Sequence, residues 1–78
     1  MPSVIQEPIK VLAVFDNGIR PVKFKWRGRV YQVREITHFW DRRNGQIVLK
    51  CFSVSDGATL FELSYDPGAV SWTLEEVD

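Results

Sequence analysis

The chain holds one cysteine, one histidine and one methionine in 78 residues, and these scarcities exclude several classes of protein at once. A lone Cys51 cannot form an internal disulfide, which rules out a small secreted fold stapled by cystine bridges. Cys51 and His38 together fall short of the four ligands of a structural zinc, and no carboxylate cluster replaces the missing ones. No metal and no cofactor is expected. No apolar run approaches the ~20 residues of a membrane-spanning helix. The first seven residues carry neither the basic stretch nor the apolar run of a signal peptide. A cytoplasmic protein with no membrane partner is the expectation. Helical periodicity, internal repeats and a Gly-rich phosphate loop are also missing.

Large rings and turn residues are what the chain does have. Three Trp, two Tyr and five Phe can each bury roughly 150–250 Å². A chain this short removes only about 60% of its unfolded surface from water, so a thin core must lean on that bulk. Turn signals recur at short intervals: Asn17-Gly18, Arg27-Gly28, Asn44-Gly45, Asp56-Gly57 and Asp66-Pro67-Gly68. Such spacing marks an all-β chain. About six antiparallel strands are expected, over 9–16, 21–27, 29–42, 46–55, 59–65 and 71–77. Residues 1–78 form one domain with an ordered core of about 8–77, fraying at 1–7 and 76–78.

Facing residues across each turn test this reading. A two-residue Arg27-Gly28 loop sets Phe24 against Tyr31, Val22 against Val33 and Trp26 against Arg29, with Lys23 and Lys25 on the other face. Across the Asp66–Ala69 loop, Tyr65 meets Val70, Leu63 meets Trp72 and Phe61 meets Leu74. Across Asp56-Gly57, Phe52 meets Phe61. The apolar phase of the third strand switches near Arg34-Glu35, which predicts a bulge and a bend. A bent strand serving two parts of a sheet suits a meander curled into a small SH3-like or partly open barrel.

His38, Cys51 and Glu62 have the residue types of an activated nucleophile. Bringing His38 opposite Cys51 requires a two-residue Asn44-Gly45 loop, which sets Glu35 against Val54 and wastes the apolar face. A three-residue loop, Arg43-Asn44-Gly45, pairs Trp40 with Val48 and Ile36 with Phe52 and breaks the arrangement. A non-enzymatic protein is therefore expected. The three Trp residues read as core pillars, although Trp26 abuts a tight turn and faces Arg29 as a cation–π candidate.

Net charge is zero, but residues 20–50 carry nine basic and two acidic side chains, and residues 51–78 carry six acids and no Lys or Arg. For a neutral chain the first expectation is that the two regions pair across strands. The alternative is an anion-binding surface. Lys23, Lys25 and Arg34 would line its outer face, with Arg27 and Arg29 at the hairpin tip. Val30, Phe39 and Leu49 form a candidate apolar patch for a protein partner or a second copy of the chain.

The run Arg20-Pro21-Val22-Lys23-Phe24-Lys25-Trp26-Arg27-Gly28-Arg29-Val30-Tyr31-Gln32-Val33 is followed by Trp40, Asp56-Gly57, Phe61-Glu62-Leu63 and Trp72-Thr73-Leu74. Over about 8–77 this pattern resembles an uncharacterised family of small bacterial β domains. Relatives in that family occur beside, or fused to, Y-family translesion DNA polymerase proteins. The resemblance implies a nucleic-acid-processing context and supplies no catalytic residues. Taken together, a small non-catalytic binding module for nucleic acid or another polyanion is expected. The alternative is an interaction adaptor or homodimer using a sheet edge or the apolar patch.

Overall fold

The computed structural model describes residues 2–78 and holds seven strands: β1 (Ser3–Phe15), β2 (Ile19–Trp26), β3 (Arg29–Gln32), β4 (Glu35–Asn44), β5 (Ile47–Ser55), β6 (Leu60–Asp66) and β7 (Ser71–Val77). No helix occurs among the described residues. All neighbours are antiparallel, in the order β3-β2-β1-β7-β6-β5-β4. Two meanders, β1–β3 and β4–β7, are joined by pairing of β1 with β7. The count is seven rather than about six because the long third strand divides at Val33-Arg34. That division sits at the expected phase switch. β3 stays with β2, whereas β4 crosses to β5. Pairing of β3 with β4 would close the ring. It does not form, so the sheet is open rather than a barrel.

β1 bends to serve both meanders. Its first half pairs with β7 (Ser3↔Val77, Ile9↔Trp72) and its second half with β2 (Lys10↔Lys25, Phe15↔Ile19). Gln6, at φ 54°, lies in a register shift between Val4 and Glu7. A second shift between Leu12 and Ala13 brings buried Pro21 into the ladder at an irregularity, where a missing N–H is tolerated. The strand therefore begins at Ser3, and residues expected to fray are paired. Met1, also expected to fray, lies outside the described residues.

The core lies on one face of the sheet: Phe24, Phe52, Val54, Phe61, Leu63, Tyr65, Trp72 and Leu74 are all buried. Phe24 stacks on Tyr31 with centroids 5.2 Å apart, and both rings meet Phe61 edge-on at 5.1 Å. A separate ladder runs Phe39–Phe52–Trp72–Tyr65–Phe15 at spacings of 4.8–5.7 Å. Each fully buried ring or Leu contributes roughly 1.5–3 kcal/mol relative to exposure.

The hairpins follow the expected faces but not always the expected partners. Phe24↔Tyr31 and Trp26↔Arg29 pair as read from the sequence, and the Val33 amide donates to Val22 O at 2.9 Å. Arg27 and Gly28 both take positive φ, as a tight two-residue turn of this hand requires. Elsewhere aspartates set the loops: the one after β5 holds four residues, 56–59, rather than two, and the one after β6 runs over 67–70 rather than 66–69. Asp56 Oδ1 accepts from the Ala58 and Thr59 amides at 2.9 and 2.8 Å, and Asp66 Oδ1 from the Gly68 and Ala69 amides at 2.9 and 3.2 Å. Phe52 consequently faces Leu63 rather than Phe61, and Leu63 faces Leu74 rather than Trp72. A two-residue slip preserves which face each side chain occupies, so the core survives the change.

The β4–β5 turn differs in kind. Gly45, at φ 66°, opens a two-residue Gly45-Gln46 loop in place of the expected three-residue one, and Asn44 faces Ile47. This odd shift reverses faces beyond the turn: Phe39 faces Phe52, and Trp40 faces Cys51 on the other side. An irregularity between Ile36 and His38 then restores the phase, so Ile36 returns to the inner face, opposite Val54 rather than the expected Phe52.

Candidate polyanion-binding face

Strict alternation along β1 and β2 sends Val11, Phe24 and Trp26 inward and Lys10, Leu12, Lys23 and Lys25 outward. Cross-strand pairing then assembles them: Lys10 sits opposite Lys25, Lys23 opposite Leu12 and Gln32, and Lys25 opposite Val30. Arg20 follows opposite Val14. Among the described residues none of these cations has an ion-pair or hydrogen-bond partner. Two shallow depressions of about 220 and 370 Å³ both include Lys10 and Lys25 in their walls, so the lysines border one continuous trough. Lys10 was missed in the sequence because nothing local links it to residues 23–25.

Of the five expected basic contacts, Lys23 and Lys25 stand on this face, and Arg27 borders the second depression at its end. Arg27 is committed to β1: its Nη2 reaches Glu7 Oε2 at 2.7 Å, and its guanidinium lies 4.6 Å from the Trp26 ring centroid. The cation–π partner of Trp26 is thus Arg27 and not Arg29. Glu7 Oε1 also accepts the Trp26 indole N–H at 2.9 Å. The Arg27 hydrogen bond, then the indole, hold the Glu7 carboxyl below its usual range. Arg29 and Arg34 line a different recess, beside Trp26, Tyr31 and Asp56.

The expected self-neutralisation is slight. Arg42 forms an ion pair with Glu75 of the acidic region at 3.1 Å, and Glu75 also accepts the Ser64 hydroxyl at 2.6 Å. Lys50 pairs with its strand neighbour Asp41 at 3.1 Å. Glu62 faces Glu76 across β6–β7, and burial, reinforced by Glu76, raises the Glu62 carboxyl above its ordinary value. The bipolar charge of the chain therefore survives folding as a basic face on β1–β3 and an acidic one on β6–β7.

The proposed apolar patch is not assembled. Val30 lies on the lysine face, Phe39 shares the inner face with Phe52, and Leu49, opposite Arg42, has the other orientation on β5. Phe39 is 56% exposed but leans on Phe52 at 5.1 Å. The His38–Cys51–Glu62 arrangement is likewise dispersed: Cys51 faces Trp40 and Ser64, and His38 faces Ser53. Burial pushes the Cys51 thiol above its usual value, away from the reactive thiolate. Among the described residues no group of three or more His, Cys, Asp or Glu side chains is placed to hold a metal ion, and no helix is long and apolar enough to cross a membrane. No protein-family model, curated protein or solved structure matches the chain.

Proposed function

We propose that the protein is a non-catalytic binding module whose β1–β2–β3 face holds a nucleic acid through its phosphates. The observation that carries this reading is the convergence of Lys10, Lys23 and Lys25 on one face with no acid in contact. An unpaired ammonium is free to displace condensed counterions from a polyanion, and the entropy of their release drives sequence-independent affinity. Three contacts on duplex DNA correspond to a log–log salt slope of about −3. The residues 20–33 that resemble the bacterial family form β2 and β3, so the polymerase-linked context of those relatives is part of the same proposal.

The test is an amide-shift titration with a short duplex and its single strand at low and moderate salt. Shifts gathered on Lys10, Lys23, Lys25 and Val30, weakening steeply with salt, are expected. Unmoved signals on that face at low salt would remove the reading. Lys10→Ala should reduce the salt slope by about one without changing thermal stability.

One observation favours a second reading. β4 is a ten-residue edge strand whose far side pairs with nothing among the described residues, an available template for strand addition by an extended protein segment. An edge-binding partner would protect the β4 amides from hydrogen exchange and leave the lysine signals unmoved.

A further inference from the structure

The gap left where the sheet fails to close is a recess of about 630 Å³ between the β2–β3 hairpin and the turn after β5. We infer that this recess binds a nucleotide unit, an aromatic base carrying a phosphate, with the base against Trp26 and Tyr31 and the phosphate between Arg29 and Arg34. It goes beyond the lysine face: Val30 and Gln32 border both, but the groups assigned to the ligand, Trp26, Tyr31, Arg29 and Arg34, are not among the lysines that carry that reading.

Three observations converge. The volume falls within the roughly 300–1,000 Å³ of small-molecule sites. Its walls combine half-buried Trp26 and Tyr31 and buried Phe61 with the exposed arginines 29 and 34. Flat rings beside guanidinium groups suit a ligand that is itself an aromatic ring tied to an anion.

The site is also held in place before any ligand arrives. Trp26 is anchored by its N–H bond to Glu7 at 2.9 Å and by Arg27 at 4.6 Å from its centroid. Tyr31 is stacked on Phe24, 16° from parallel, and its hydroxyl makes no hydrogen bond among the described residues. Arg34 lies across Gly57, where a Cβ would come within 3.0 Å of its Cδ and Nη1, so the glycine makes room for the side chain. Asp56 is the one acid in the wall. Its Oδ1 is engaged by the Ala58 and Thr59 amides, leaving two guanidinium groups against a single, already solvated carboxylate.

The chemistry is shared by a free nucleoside monophosphate and by the terminal nucleotide of a strand, and the experiment separates them. Isotope-labelled protein is titrated with AMP, adenosine, inorganic phosphate and a 5′-phosphorylated trinucleotide. The expected result is saturable movement of the Trp26 indole N–H and of the Arg29 and Arg34 signals. Adenosine and phosphate should each bind at least about tenfold more weakly than AMP, the loss of roughly one charge-assisted contact or one stack. AMP binding identifies a free-nucleotide site; movement with the trinucleotide alone identifies a strand-end site. Arg29→Ala and Arg34→Ala should each weaken the productive ligand at least about tenfold, with Arg29→Lys recovering part of the loss. The Lys10→Ala/Lys23→Ala/Lys25→Ala variant should bind it unchanged, which separates this site from the lysine face. Trp26 and Arg34 signals unmoved by both AMP and the trinucleotide would overturn the inference, as would inorganic phosphate binding as well as AMP.

Discussion

Val33 and Arg34 are neighbours in the chain, yet their amides donate to opposite ends of the sheet. The Val33 N–H reaches Val22 O on β2 at 2.9 Å, and the Arg34 N–H reaches Ser55 O on β5 at 2.8 Å. Strands β3 and β4 are the two outermost members of a seven-strand order, so this one peptide link draws the sheet round into a curl. The bend leaves both edges unpaired beyond it. The recess lined by Arg29 and Arg34 opens on that side.

Arg34→Pro should therefore be costly where Arg34→Ala is not. Proline removes the donor to Ser55 and leaves its carbonyl without that partner, a loss of about 1–3 kcal/mol. The alanine variant keeps the amide and should stay within about 0.5 kcal/mol of the parent, as an exposed substitution does. Urea unfolding of both variants measures the difference, and equal midpoints would refute the role given to the link.

The Glu7 clamp predicts a pH dependence. Its carboxyl is held below its ordinary value of 4.5 by Arg27 and Trp26, so the native state favours the ionised form. That contribution is fully present above the unfolded value and is lost as pH falls through the folded one. Glu7→Gln should melt below the parent at pH 7, and the gap should close in strongly acid solution. A gap independent of pH would mean that shape, not charge, holds β1 to the hairpin.

The aromatic ladder separates burial from contact. Phe52 is 1% exposed and touches both Phe39 and Trp72, so Phe52→Ala should cost about 3–5 kcal/mol. Domains of this size have roughly 4–12 kcal/mol in all, so the variant should be marginal or unfolded at 37 °C. Phe39→Ala removes an exposed ring and should cost only about 0.5–1.5 kcal/mol. Thermal melts of the two variants read the contrast directly.

Glu62 carries the opposite sign from Glu7. Burial and Glu76 raise its carboxyl above 4.5, so folding is opposed wherever Glu62 is ionised. Glu62→Gln should raise stability at pH 7, the benefit fading as pH drops through the raised value and vanishing below 4.5. A variant no more stable than the parent at pH 7 would show that cations from solvent already neutralise the pair.

The contrast between the two kinds of hairpin shows what was readable beforehand. At Arg27-Gly28 the turn residues and the alternating flanks agree on a single register, so Phe24 meets Tyr31 as the sequence implies. At Asp56 and Asp66 the aspartate carboxylates take up loop amides, which lengthens the first turn by two residues and moves the second along by one, and the turn residues alone do not disclose either. Phe39 and Trp40 exchanged faces because one residue fewer in the Gly45-Gln46 loop reverses a strand of period two. The basic site was half legible for a related reason: Lys23 and Lys25 are local to one hairpin, but Lys10 reaches them only through β1–β2 pairing.

By itself the sequence determined the β class, a bend close to Arg34 and which side chains of β2 and β3 point inward. All three are local, arising from turn conformation and a two-residue alternation. Tertiary structure alone decided that β1 joins β2 to β7, that Arg27 is consumed by Glu7 and that the ring of strands stays open. Those outcomes depend on which distant segments meet, and the balance is struck among contacts that no short stretch of chain contains.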